Sequence, residues 1–120
     1  MRSPFWRSAG PHFANQGPIL ALARTMAARI AAENPEVSRV LLFGSHARGD
    51  FGARSDIDLL VVFRESSLPV RERIAALLPL CSAYPTDVFP LTEAELEERL
   101  RSGDPFWTRA VAEAIDCTGG

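Results

Sequence analysis

At 120 residues the chain has the length of one domain with a single modest core. Its 47% apolar content fits a soluble globular protein, and a net charge of −2 at pH 7 excludes the broad electrostatic footprint of a general nucleic-acid binder. No apolar run approaches the roughly 20 residues of a membrane span, so neither a membrane nor direct nucleic-acid binding is expected.

All 13 basic residues are arginine, which by itself points to no function. Cys81 and Cys117 form no close pair, and His12 and His46 are scattered, so a zinc site is not expected. Free thiols in a reducing cytosol are the expectation. The N-terminus carries Arg2 and Arg7, but Pro4, Gly10, Pro11 and Asn15 interrupt its apolar residues. It does not read as a signal peptide, and a cytoplasmic location is expected.

Residues 1–17, "MRSPFWRSAGPHFANQG", show no sustained period and read as an irregular arm, whose Phe5 and Trp6 suit a partner contact. Pro18 suits the first turn of a helix, and Ile19, Leu22, Met26 and Ile30 follow at three- and four-residue spacing. Asn34-Pro35 ends that helix, because the residue before proline is pushed out of the helical region. "VSRVLLF", residues 37–43, and "DIDLLVVF", residues 56–63, are β-rich. The second is apolar enough to be a central strand buried on both faces.

Residues 69–80 give an amphipathic helix with Val70, Ile74, Leu77 and Leu78 on one side. "YPTDVFPL", residues 84–91, has a proline near either end and suits a sheet edge. Thr92 and Glu95 form a capping box opening "EAELEERLRS", Gly103 ends that helix, and Asp104-Pro105 caps a last one through about Ala114. In the last helix Phe106 and Trp107 are expected to be core or interface anchors rather than a base-stacking platform, and in the helix before it the acidic start Glu93 to Glu98 is expected to favour the helix dipole. The order predicts an α/β (α+β) domain, a small mixed sheet of about three strands flanked by helices. The domain spans residues 18–116, with 117–120 a tail.

The loop between the first two strands concentrates the chemistry. Asp56 and Asp58 lie two apart in a strand, so both carboxylates leave the same face. Close carboxylates repel unless a cation neutralises them, and Mg²⁺ takes one or two carboxylates plus substrate phosphates. Asp87 on the next strand would join them if that strand is an in-register neighbour. Upstream, Gly44 lets the backbone approach a ligand, and Ser45 offers a hydroxyl beside exposed N–H groups. Arg48 could clamp the same phosphates, or simply be solvated. Together these residues outline a nucleoside triphosphate site for in-line displacement at phosphorus assisted by two metal ions. His46 within the loop is read as solvent-facing or catalytic, and Asp50 and Arg54 as solvated charges.

At these residues "GSHARGDFGARSDIDLLV" resembles the signature of the minimal nucleotidyltransferases, small members of the DNA polymerase β-like superfamily: GS, ten residues, then D-x-D. The resemblance spans roughly residues 19–115, and "GDPFWTRAVAEA" is similar to the family's loosely shared C-terminal helix. It implies a polymerase β palm-like fold. Gly44 and Ser45 match the pair that holds the nucleotide phosphates, Asp56 and Asp58 the metal-binding pair, and Asp87 the third carboxylate. It implies transfer of a nucleoside monophosphate, AMP from ATP, to a hydroxyl with Mg²⁺ as cofactor. The implied partner is a HEPN-domain toxin, with this chain its antitoxin. A second copy of the chain stays open as a further partner. Two other functions remain open: a non-catalytic module that silences a partner by covering it, and transfer to a small molecule such as an aminoglycoside.

Overall fold

The computed structural model describes residues 17–49 and 56–118. The expected arm, except Gly17, lies outside the described residues, as do Asp50, Arg54 and the last two residues of the tail.

Helix α1, Gly17–Glu33, buries Ala23, Met26, Ala27 and Ile30; of the expected stripe Met26 and Ile30 are buried, while Ile19 and Leu22 are half-buried at its margin. The Asn34 side-chain amide donates to the Ile30 carbonyl at 3.0 Å, and the Val37 N–H donates to the Asn34 carbonyl at 2.9 Å, turning the chain into the sheet. Strands β1, Val37–Phe43, and β2, Ile57–Phe63, pair antiparallel, and between them Ser45–Arg48 forms one short helical turn, α2. Strand β3, Thr86–Thr92, lies parallel to β2. A fourth strand, β4, Ile115–Asp116, pairs antiparallel with β1, giving the order β3-β2-β1-β4. The apolar β2 is thus internal and the proline-bearing β3 is at an edge, as their compositions predict.

Alternation along β2 divides the core in two. Ile57, Leu59, Val61 and Phe63 face α1 and helix α3, Val70–Leu77, while Leu60 and Val62 face helices α4, Glu93–Arg101, and α5, Pro105–Glu113. The capping box is present: the Glu95 N–H donates to Thr92 Oγ1 at 3.1 Å, and the Thr92 N–H donates to Glu95 Oε1 at 2.9 Å. Asp104 accepts from the N–H groups of Phe106 and Trp107, fixing the start of α5.

Three expectations change. The sheet has four strands rather than about three, because Ile115 and Asp116 turn back alongside β1 instead of leaving it. The Cys117 N–H donates to the Val40 carbonyl at 2.8 Å, so the beginning of the expected tail belongs to the sheet's hydrogen bonding. The helix expected over 69–80 closes at Leu77 and tightens into a 3₁₀ turn, Leu78–Cys81, around Pro79. Its expected apolar face is also only half right: Leu77 is buried, Val70 and Leu78 are exposed, and Arg73 occupies the buried position.

Candidate functional site

Asp58 and Asp87 are register partners on adjacent parallel strands. Side chains at matching positions of such a pair leave the same face, with the strands about 4.8 Å apart. The two carboxylates therefore stand side by side. Asp56 precedes β2 by one residue and is exposed; it is not within the strand as its sequence suggests. Burial, reinforced by the charges of Asp87 and Asp56, pushes the Asp58 carboxyl up to about 6, against the opposing pull of His46 and Arg48. Among the described residues, no three His, Cys, Asp or Glu side chains are grouped to hold a metal ion. The unit actually assembled is the carboxylate pair of Asp58 and Asp87, with Asp56 close enough to act on it.

Across the ladder, Phe43 ends β1 opposite Asp58, which brings Gly44 directly over the carboxylate. Gly44 has φ +81° and ψ −155°, a region only glycine occupies without strain. A Cβ there would also run into Asp58 Oδ2. The conformation turns β1 sharply into α2, where the N–H groups of Ala47 and Arg48 return to the Gly44 carbonyl. Gly44 and Ser45 are thus held against the acidic pair rather than carried on a wandering loop.

His46 is 1% exposed and packs edge-on to Tyr84 at 6.0 Å, which corrects the solvent-facing reading. Arg48 is not simply solvated: its Nη1 lies 3.2 Å from Glu113 Oε1 on α5. Glu113 Oε2 in turn accepts from Arg109 Nε at 3.1 Å.

These groups line a cleft of about 560 Å³ between α2, the sheet and α5, which contains Gly44, Ser45, Arg48 and Asp58. Asp56 and Asp87 are not among its lining residues. A slightly larger hollow, about 650 Å³, lies at the opposite end of β1 and β2, around Asn34–Glu36 and Glu65–Leu68. It holds none of the motif residues, so chemistry rather than volume selects the first.

The α5 side of this cleft was missed at the sequence level. Phe106, Arg109, Ala110 and Glu113 are spaced at three, one and three residues, one face of a helix, and that spacing is the signal that could have found them. Phe43 and Phe89, on the two strands flanking the strand of Asp58, supply the aromatic floor, with ring centroids 5.2 Å apart. Trp107 is core, as expected, whereas Phe106 is 53% exposed on the cleft.

Residues 24–107 match the family model described as nucleotidyltransferase domain. Over 49 residues the chain is 37% identical to "Putative protein adenylyltransferase MJ0141" of Methanocaldococcus jannaschii, an alignment spanning 41% of this chain and 48% of that protein. The chain thus matches about half the length of that relative. A crystal structure of a "putative nucleotidyltransferase" from Sulfolobus solfataricus superposes with TM-score 0.64 and 27% identity, over 84% of this chain and 80% of that one. A toxin-antitoxin structure with AMP-PNP overlays at TM-score 0.48 and 20% identity, over 88% and 74% of the two chains, a likeness too remote to carry an argument.

Proposed function

This chain belongs to the nucleotidyltransferase-domain family, and on that premise we propose that it moves AMP from ATP onto a hydroxyl of a protein partner. The observation that carries the proposal is the register pairing of Asp87 with Asp58, the carboxylate that lies directly against Gly44. A half-buried Asp58 carboxyl whose proton affinity is raised by burial and by the neighbouring Asp87 charge forms a cation site in search of its cation.

Mg²⁺ suits that donor set, since it is satisfied by one or two carboxylates once substrate phosphates complete its shell. Asp58 and Asp87 would hold it, with Asp56 joining in a two-ion arrangement. When bound, Mg²⁺ supplies neutralisation of the triphosphate and a lowered pKa for the acceptor hydroxyl. The chain's own groups do the rest. Gly44 admits a phosphate to the backbone, and Ser45 donates its hydroxyl to the phosphate oxygens. Arg48 adds positive charge on the same wall, tempered by Glu113. Asp87, exposed at the start of β3, accepts the proton of the attacking hydroxyl. The acceptor oxygen bonds to the α-phosphorus, the bond from that phosphorus to the bridging oxygen breaks, and pyrophosphate leaves with the bond's electrons.

The similarity to a relative named as a protein adenylyltransferase supports a protein acceptor. The minimal-nucleotidyltransferase signature supports a HEPN-domain toxin as that protein, with this chain as its antitoxin. The test is intact mass spectrometry of the chain, Mg²⁺, ATP and the product of the neighbouring gene. A partner heavier by whole AMP units, unchanged with Asp58→Asn, is the expected result. A stable, silenced complex without a mass change would replace catalysis with simple covering. Neither transfer nor complex would redirect the search to small-molecule acceptors.

A further inference from the structure

We propose that Phe106 is a stacking platform for the nucleobase, a positioning residue that holds the nucleoside by its face without reading its edge. The inference rests on the nucleotide reading above and adds to it the place of the base.

Phe106 is 53% exposed, yet it is firmly mounted. Its ring meets Trp107 edge-on at 4.8 Å and Phe43 edge-on at 5.9 Å, with Phe89 at 6.2 Å. Pro105 and the Asp104 cap fix the backbone from which it projects. A large aromatic kept at a cleft surface by three other rings is preorganised for a flat apolar ligand, because little side-chain freedom remains to be lost.

Distance favours the base as that ligand. Glu113 reaches Arg48 beside the Gly44–Ser45 turn, and Phe106 lies seven residues back along the same helix, about 10 Å at 1.5 Å per residue. Phe106 also touches Phe43, the residue before Gly44, and lines the same cleft, so a nucleotide with its phosphates at Gly44 and Ser45 has Phe106 within reach of its base. The charged groups along the way, Arg48, Glu113 and Arg109, are engaged with one another. Stacking alone accepts any base, so affinity should follow the stacking area of the base rather than its hydrogen-bonding edge.

The test compares Mg-ATP, Mg-GTP, Mg-CTP and Mg-tripolyphosphate by titration calorimetry on the full chain and on Phe106→Ala and Phe106→Trp, each checked for a native melt. Alanine should weaken ATP by about tenfold while leaving tripolyphosphate unchanged, and tryptophan should restore the loss. ATP and GTP should bind alike, both more tightly than CTP. Quenching of 2-aminopurine riboside triphosphate should occur in the wild type and the tryptophan variant and vanish in the alanine variant. Unchanged ATP binding in Phe106→Ala, with tripolyphosphate still bound, would overturn the platform alone and leave Phe106 as a contact for a protein partner. Failure of the wild type to bind either ligand would overturn the platform together with the nucleotide reading. A strong preference for ATP over GTP would overturn the claim that the edge goes unread.

Discussion

Arg73 and Glu95 clasp each other between α3 and α4, with Nη1 to Oε1 at 2.7 Å and Nη2 to Oε2 at 3.2 Å. The arginine is 5% exposed and also donates to the carbonyls of Pro90, at 3.1 Å, and Leu68, at 2.8 Å. Glu95 belongs at the same time to the capping box of α4. One ion pair thus ties a helix on each face of the sheet to the edge strand between them.

Removing the arginine should therefore be costly. Arg73→Met leaves two carbonyls and a carboxylate without their donor, and we expect a loss of about 3 kcal/mol in urea unfolding. A loss below roughly 0.5 kcal/mol would mean that the clasp is ornamental.

The same pair sets an acid limb. Hydrogen bonding from Arg73 holds the Glu95 carboxyl down at about 2, below its ordinary 4.5. A depressed carboxylate contributes stability above the unfolded value, and that stability is lost as pH falls through the folded value. The contribution should fade between about pH 4.5 and 2. Glu95 is partly open to water, so it amounts to roughly 1 kcal/mol after screening. Glu95→Gln should flatten the unfolding free energy across that window, and an unchanged slope would assign the acid limb to other carboxylates.

Asp58 has the opposite sign. Its folded carboxyl is raised to about 6, so the metal-free fold is favoured below the unfolded value of 3.8 and loses stability as pH rises through 6. Asp58→Asn should abolish transfer yet stabilise the metal-free protein at pH 8 by roughly 1–2 kcal/mol, allowing for partial exposure. Mg²⁺ should raise the melting temperature of the wild type and leave that of the variant nearly unmoved. A destabilised Asn variant would contradict the repulsion.

Gly44 should tolerate no side chain. Gly44→Ala strains a glycine-only conformation and displaces the Asp58 carboxylate, for about 1–3 kcal/mol of stability. Activity measured well below the melting point should fall further than unfolding explains. Wild-type turnover in a folded Ala variant would show that Asp58 has room to move.

Phe106 and Trp107 are neighbours with opposite duties. Trp107→Ala should cost about 3–5 kcal/mol, since the indole fills the core between α5 and the sheet. Phe106→Ala should cost about 1 kcal/mol, the worth of its edge contacts. Equal losses in thermal denaturation would argue that both rings serve the core.

The strand positions and most helices were legible because each carries its own period or its own cap. Asp87 was legible for a related reason: a carboxylate in a strand beside D-x-D needs only register to join it, and β2 and β3 supply that register. Two features were not. Nothing in the helix around Arg73 marks it for burial, which depends on Glu95 from an element 22 residues away. The two residues of β4 are too few to show alternation, so only their pairing with β1, near the Arg39–Asp116 ion pair, makes them a strand. Local order is written locally; what closes the cleft comes from the meeting of distant segments.

The sheet's two margins have a consequence for how this chain meets others. Strand β3 carries Pro90, which interrupts the row of donors that an incoming strand would need, and β4 offers only two residues to pair with. Both margins are poor templates for strand addition, which guards against edge-to-edge aggregation and against dimerisation by a continuous sheet. Among the described residues, recognition of another protein is thereby left to the helices and the cleft mouth, the surfaces where side chains rather than backbone choose the partner.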